Sequence, residues 1–266
     1  MKIVVSLFIS IPFFLIGQDG DFRLGARMTA MGGIGSTVTG PWGLFNNIAG
    51  IGSLKQPMAM VGYQSRFNLK ELQSVGAGFV YPMQFVNAGV SFFRFGDDIF
   101  NEQNLSIALA SSVDRVSLGI AINHVQYHVH ELSTRSAVVL EFGGIVMLMS
   151  DLYFGVHFHN ITQSTLEGHR MLPTIARLGL AYMPIKELSI HSEVCKDLDF
   201  EEVFRVGLEY GIIENMWVRT GFNTLPFKAS FGVGFSIKFM RIDYSFSDQS
   251  NLGGVHEISI SYHTGE

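Results

Sequence analysis

Residues Phe227 to Phe239 read FKASFGVGFSIKF, and their alternation decides the fold class. Phe227, Ala229, Phe231, Val233, Phe235, Ile237 and Phe239 are apolar. The residues between them, Lys228, Ser230, Gly232, Gly234, Ser236 and Lys238, are small or charged. Successive side chains of a strand point to opposite faces, so this ribbon has one apolar and one polar face. The run is long for a strand of a soluble sheet. Its polar face also carries glycine and serine where a solvated sheet usually carries charge. A membrane β-barrel accounts for both features, with apolar residues against lipid and polar ones towards the lumen.

Composition agrees. The chain has 266 residues, a net charge of −5 and 15% charged residues, with a mean hydropathy of +0.28. Past the N-terminus no run approaches the roughly 18 apolar residues of a membrane-spanning helix. Phenylalanine (23) and glycine (29) are abundant; a barrel uses aromatics towards lipid and glycine where its interior is crowded. The small net charge and the lack of a basic stripe argue against a nucleic-acid partner. The single cysteine, Cys195, cannot form an intramolecular disulfide. Lys2, the apolar stretch Ile3 to Ile16 and the polar Gly17-Gln18 step read as a signal peptide over residues 1–17.

Residues 24–52 are glycine-rich and lack a strand pattern, with one helical turn expected from Trp42 to Ala49 behind Pro41. From Pro57 the chain alternates. Strands are expected at Met58–Phe67, Leu72–Tyr81, Phe85–Phe95, Glu102–Val113, Arg115–Val129, Arg135–Met149 and Asp151–Asn160. They continue at Thr174–Met183, Glu187–Lys196, Val203–Ile212, Met216–Asn223, Phe227–Phe239, Met240–Ser247 and His256–His263. Turn residues such as Tyr81-Pro82, Gly96-Asp97-Asp98 and Met183-Pro184 separate them. The expected fold is all-β: a transmembrane antiparallel up-and-down barrel of about 14 strands, an even number. Residues 18–56 form an N-terminal hatch inside it, and residues 57–266 the wall.

One set of faces is apolar, as in Leu105, Ile107 and Leu109, or Phe204, Val206, Leu208 and Tyr210. The opposite faces collect charge: Glu141, Arg177, Glu193, Arg205, Glu209, Arg219, Arg241, Asp243 and Glu257. On neighbouring lumen faces these form a ladder, with Arg177 and Arg205 expected to pair with Glu193 and Glu209. Such a ladder keeps the interior from being simply open.

Gly25-Ala26-Arg27, Met31-Gly32-Gly33 and Leu44-Phe45-Asn46-Asn47-Ile48-Ala49-Gly50 resemble the opening motif of the FadL-like outer-membrane proteins of Bacteroidota, the PorV and PorQ relatives of the long-chain fatty-acid channel. Asp243-Tyr244-Ser245-Phe246 and Val255 to Tyr262 are similar to that family's closing strands. The resemblance implies a 14-stranded barrel in a Gram-negative outer membrane, with the N-terminal segment folded inside. It implies either passage of hydrophobic small molecules or accessory service to the type IX secretion machinery, whose envelope proteins would be partners beside the membrane lipid. A hydrophobic solute's path is then expected near Met28, Met31, Trp42, Leu44, Phe45 and Asn46. A closed structural or adhesive barrel, its lumen plugged by charge, is the alternative from a different class.

Other constellations are weaker. His124, His128 and His130 share one face of a strand, and His157 and His159 one face of another. Imidazoles in this number suit a metal, but a polar rim or lumen explains them more simply. His159-Asn160 with Ser164, and Asp243 with His256, are the only loose hydrolase candidates, and no GxSxG or HExxH occurs. A non-enzyme without cofactor is the expectation. Trp217, Tyr81, Tyr153, Tyr182 and Tyr262 are expected as interface anchors, and Trp42 within the hatch.

Overall fold

The computed structural model of the chain describes residues 22–131, 134–166, 170–249 and 253–264. The signal peptide expected over residues 1–17 lies outside them. Strands run at β1 Met58–Arg66, β2 Gln73–Pro82, β3 Asn87–Gly96, β4 Phe100–Val113, β5 Val116–Val129, β6 Arg135–Met149 and β7 Leu152–His159. A small ribbon follows, β8 Thr165–Leu166 with β9 Arg170–Met171. The wall resumes with β10 Ile175–Ile185, β11 Leu188–Asp197, β12 Val203–Ile213, β13 Met216–Thr224, β14 Phe227–Ile237, β15 Met240–Gln249 and β16 Gly253–His263. All except β8 and β9 join into one closed barrel of 14 strands. Each wall strand pairs antiparallel with its chain neighbours, and β1 closes onto β16 from Met58↔His263 to Arg66↔Val255. Closure leaves no unpaired edge, the condition a sheet must meet in lipid.

The stretch FKASFGVGFSIKF forms β14 but stops two residues early. Lys238 takes φ 50° and turns the chain into β15, so Lys238 and Phe239 leave the strand. Within β14 the predicted parity holds: Phe227, Phe231, Phe235 and Ile237 are exposed on the outside, while Ser230 and Gly234 are buried inside. The long connection expected at Asn160–Pro173 carries β8 and β9. The one expected at Asp248–Val255 is shorter, because β15 and β16 both extend into it.

The two ends of the barrel differ. At one end the connections are two-residue turns at 114–115, 150–151, 186–187, 214–215 and 238–239, with 83–86 slightly longer. At the other they range from two residues at 225–226 through five at 130–134 and 198–202 and six at 67–72 to fifteen at 160–174. Tyr81, Tyr182 and Tyr262 are exposed on the outer face near the turn end, as a lipid-interface girdle requires. Two expected anchors point inward instead. Trp217 lies under the Arg241 guanidinium, 4.4 Å from its ring. Tyr153 is opposite the buried Ala181. Parity decides this: both stand on the face that includes Arg219 and His157, which are buried in the lumen.

Residues 22–52 lie against inward faces of the wall strands, from Leu24 on Gly62 and Gly76 to Gly52 beside Ser117. A five-residue helix, α1 Ala26–Ala30, is followed by 3₁₀ turns at Pro41–Phe45 and Ile48–Ile51. Pro41 opens the first turn, as its fixed φ favours. Asn47 caps the second by accepting from the Ala49 N–H at 3.1 Å. The expected single turn over Trp42–Ala49 is thus two, split at Asn46, and α1 has no counterpart in the expectation.

Candidate functional site

What seats this segment is a belt of glycines on the inner wall. Four cross-strand pairs are glycine on both sides: Gly62↔Gly76, Gly119↔Gly143, Gly155↔Gly179 and Gly207↔Gly221. Against them lie Leu24, the Ile48–Ala49 backbone, Ser36 and Met31 respectively. The fit admits no side chain. A Cβ on Gly207 would stand 2.6 Å from Met31 Cβ and 2.7 Å from Met31 O. The alternation of the sequence encodes the belt, since glycine at an inward position removes the only atoms that would keep the plug from the wall.

The expected ladder of charges is present, and three of its carboxylates bond the N-terminal segment. Glu257 accepts from the Gly25 N–H, from Thr29 Oγ1 and from Gln64. Glu209 takes the Arg27 guanidinium in a two-pronged pair, at 2.9 and 2.7 Å. Glu193 accepts from the Gly35 and Ser36 N–H groups at 3.0 and 2.9 Å. Three wall carboxylates thus fasten one segment, in charge-assisted bonds stronger than neutral ones. On the opposite wall the fasteners are neutral. Asn87 Nδ2 donates to the carbonyls of Ile51, Gly52 and Leu54, and Ser117 Oγ donates to Ala49 O.

Arg205, expected opposite Glu209, meets Glu193 at 2.6 Å. Glu209 binds Arg219 on the adjacent strand as well as Arg27. Arg177 approaches His157 Nδ1 at 3.0 Å. The registers explain the change, because Glu193 faces Arg205 and Glu209 faces Arg219 across their strand pairs. Arg219 also spans β14 to reach Asp243 at 2.8 Å, with Arg241 alongside at 3.2 Å. Gly234 makes that span possible, since a Cβ there would lie 2.7 Å from the Arg219 guanidinium. The glycines of the FKASFGVGFSIKF face therefore make room for an ion pair and, at Gly232, for Ala30 of α1.

Another sector of the lumen is largely apolar, although Glu102 is buried opposite Phe95 and Tyr127 and the Arg66 guanidinium lies 5.5 Å from the Phe95 ring. Towards the loop end, β3, β5 and β6 turn Phe93, Phe95, Val125, Tyr127 and Val139 inward, all buried. Phe22 packs edge-on against Phe93 at 5.6 Å, and Leu166 and Leu172 join the same apolar cluster. Sequence parity hides this sector. Phe92 and Phe93 are adjacent phenylalanines, one outside and one inside, so the run offers no contrast from which to choose the inward one.

The expected solute-path residues are dispersed rather than gathered around a space. Met28 and Trp42 sit over Gly25, Trp42 stacks on Phe45 at 5.7 Å, and Leu44 presses on Gly78 and Gly89. Met31 lies against the charged side. Asn46 Nδ2 braces the carbonyls of Leu24 and Trp42, each at 2.9 Å. Leu44 and Phe45 also line a lumen cavity of about 20 Å³, with Phe22, Asn104, Glu141, His157, His159, Arg23 and Arg177. That volume suits a single water molecule.

The histidines divide. His157 and His159 are buried inside, both on Glu141, at 3.0 and 2.8 Å. His124 is exposed on the outer face, and His128 bonds Thr134 in the loop region. The wall separates the two groups, so they do not form one metal site, and no metal-holding cluster occurs among the described residues. The hydrolase candidates are likewise apart. Asp243 points inward, whereas His256 bonds Tyr244 on the outer face. His159 is engaged by Glu141, and Ser164 donates its N–H to Asn160.

The architecture has solved counterparts. The P. putida toluene transporter TodX superposes with a TM-score of 0.72 at 11% identity, over 92% of this chain and 99% of that one. The Ralstonia pickettii toluene transporter TbuX gives 0.71 at 14%, over 92% and 99%. A Pseudomonas aeruginosa FadL homologue gives 0.62 at 14%, over 92% and 98%. No family model matches the sequence, and no curated protein sequence does. At these identities the likeness is one of fold: the chain has the closed 14-stranded barrel of these FadL-type proteins.

Proposed function

We propose that this chain is a non-enzymatic outer-membrane barrel for the passage of hydrophobic solutes, held closed by its N-terminal plug. The carrying observation is the inward apolar sector of Phe93, Phe95, Val125, Tyr127 and Val139, which reaches the plug at Phe22. Barrel interiors are ordinarily polar, and apolar side chains facing inward give a hydrophobic solute a surface that water does not contest. The fold shared with two toluene transporters supports the same reading. Residues 1–17 direct export, residues 18–56 form the plug, and outer-membrane lipid surrounds the wall.

The test is toluene uptake by Gram-negative cells expressing the full chain. Phe93→Ser with Phe95→Ser lowers uptake while the barrel keeps its heat-modifiable migration. Unchanged uptake removes the apolar sector from the path. Recovery of the chain in the soluble periplasm ends the reading altogether.

A second reading, a closed structural barrel, is favoured by the three carboxylates that fasten the plug. It predicts no uptake above cells lacking the chain and no conductance in planar bilayers. The accessory role in type IX secretion, the other activity implied by the family resemblance, predicts co-purification with large envelope complexes. Isolation as a clean monomer counts against it.

A further inference from the structure

A single hydrogen-bonded rail crosses five strands at the boundary between the apolar and the charged lumen. It runs from Asn104 on β4 to Asn123 on β5, Glu141 on β6, His157 and His159 on β7, and Arg177 on β10. Its proton positions are forced. Arginine only donates, so Arg177 donates to His157 Nδ1 at 3.0 Å. His157 therefore keeps its proton on Nε2 and donates it to Glu141 Oε2, also at 3.0 Å. His159 Nδ1 and Asn123 Nδ2 donate to Glu141 Oε1 at 2.8 and 3.0 Å. Asn123 has thus committed its amide, and its Oδ1 accepts from Asn104 Nδ2 at 3.2 Å. Turning either asparagine over would set oxygen against oxygen.

The rail consequently ends in one bare acceptor. Asn104 is 7% exposed, and its Oδ1 has no hydrogen-bond partner. The residue lines the 20 Å³ cavity, whose other side is Phe22, Leu44 and Phe45 of the plug. A buried acceptor without a partner is costly and calls for a donor. The cavity is two-sided: Phe22, Leu44 and Phe45 give that donor an aromatic and aliphatic flank, and Arg23, Glu141, His157, His159 and Arg177 complete the polar one.

We infer that this cavity is a recognition site for hydroxylated hydrophobic solutes, aromatic or aliphatic alcohols, whose O–H donates to Asn104 Oδ1. The inference rests on the passage reading and names the solute class for it. The hydroxyl fits the present cavity. The hydrocarbon body takes the room released when Phe22 swings away from Phe93, and it lies against Phe45, Phe93 and Phe95. A plain hydrocarbon leaves the acceptor unsatisfied. A carboxylate has no proton to donate to Asn104 Oδ1.

The test is equilibrium binding of radiolabelled benzyl alcohol, toluene and benzoate to the full chain in detergent micelles, each measured against micelles alone. Benzyl alcohol binds about tenfold more tightly than toluene, the scale of one buried neutral hydrogen bond. Benzoate binds more weakly than the alcohol. Asn104→Leu, which keeps the volume and removes the acceptor, abolishes the preference and leaves toluene binding in place. Equal or tighter binding of toluene, tighter binding of benzoate, or a preference that survives Asn104→Leu overturns the inference while the passage reading stands. If none of the three solutes binds, both fall. Should Asn104→Leu lose its heat-modifiable band, the three-solute comparison on the unaltered chain decides alone.

Discussion

Glu209→Gln is the most informative single change, because Glu209 sits where plug and wall share one charge. Its two oxygens hold Arg27 of the plug at 2.7 and 2.9 Å, and one of them also holds Arg219 of β13. The Arg219 side chain is fully buried and that of Glu209 nearly so. Neutralising the carboxylate leaves two guanidiniums short of a counter-charge, with Arg219 retaining only Asp243. Removing one member of a buried ion pair costs about 3–5 kcal/mol, chiefly through the charge left behind. Arg27→Met is milder. It leaves Glu209 still paired with Arg219, and Arg27 itself is partly exposed, so about 1–3 kcal/mol is expected from the lost charge-assisted bonds. The double variant should cost less than the sum, since Arg27→Met removes one of the charges that Glu209→Gln leaves unpaired. The assay is urea unfolding in detergent, followed by heat-modifiable migration, with limited proteolysis of residues 22–56 as a second readout. If Glu209→Gln proves no more costly than Arg27→Met, or leaves the plug equally protected, the assignment of the carboxylates as plug fasteners is wrong.

Three further outcomes follow from the same geometry. Gly207→Ala destabilises by about 1–3 kcal/mol through forced displacement of Met31; Gly211→Ala on the same strand, whose added methyl would meet the Trp217 ring at 3.5 Å and Glu187 O at 3.7 Å, both ordinary contacts, stays within about 0.5 kcal/mol in the same urea assay. Asn87→Ala frees the carbonyls of Ile51, Gly52 and Leu54, costs about 1–3 kcal/mol, and raises proteolysis around residues 48–54 more than around α1. Ile107→Lys, in the exposed apolar run of β4, costs about 2–4 kcal/mol for folding into lipid vesicles, whereas Gln103→Lys on the same face nearer the loop end costs at most about 1 kcal/mol; equal costs would place lipid elsewhere.

Much of the barrel is legible in the sequence because strand parity is a local rule. Each of the 14 expected strands has a counterpart within two or three residues, and the inward set of charges from Glu141 to Glu257 is the set the alternation marks. Legibility fails where two adjacent residues are alike. Phe92 and Phe93 give no contrast, so the apolar sector of the lumen is invisible. Aromatic identity also misleads at Trp217 and Tyr153, which parity places inside although their chemistry suits an interface. Asn104 and Asn123 carry no signal at all. They are ordinary polar residues on the inner face until three-dimensional register links them to Glu141.

By itself the sequence determined a closed barrel, through period-two alternation and the lack of any helix-length apolar run, and it marked most of the charged residues that face inward. Only the tertiary structure decided what those residues do. FKASFGVGFSIKF specifies an outer face for lipid, but its inner glycines gain their meaning from Arg219 reaching over Gly234 to Asp243 and from Ala30 pressing on Gly232. The ladder was readable as charge, and its role as a clasp on the N-terminal plug was not. Parity fixes a side chain's face through its own backbone, whereas pairing depends on the register between strands and on a segment that returns from nearly two hundred residues away.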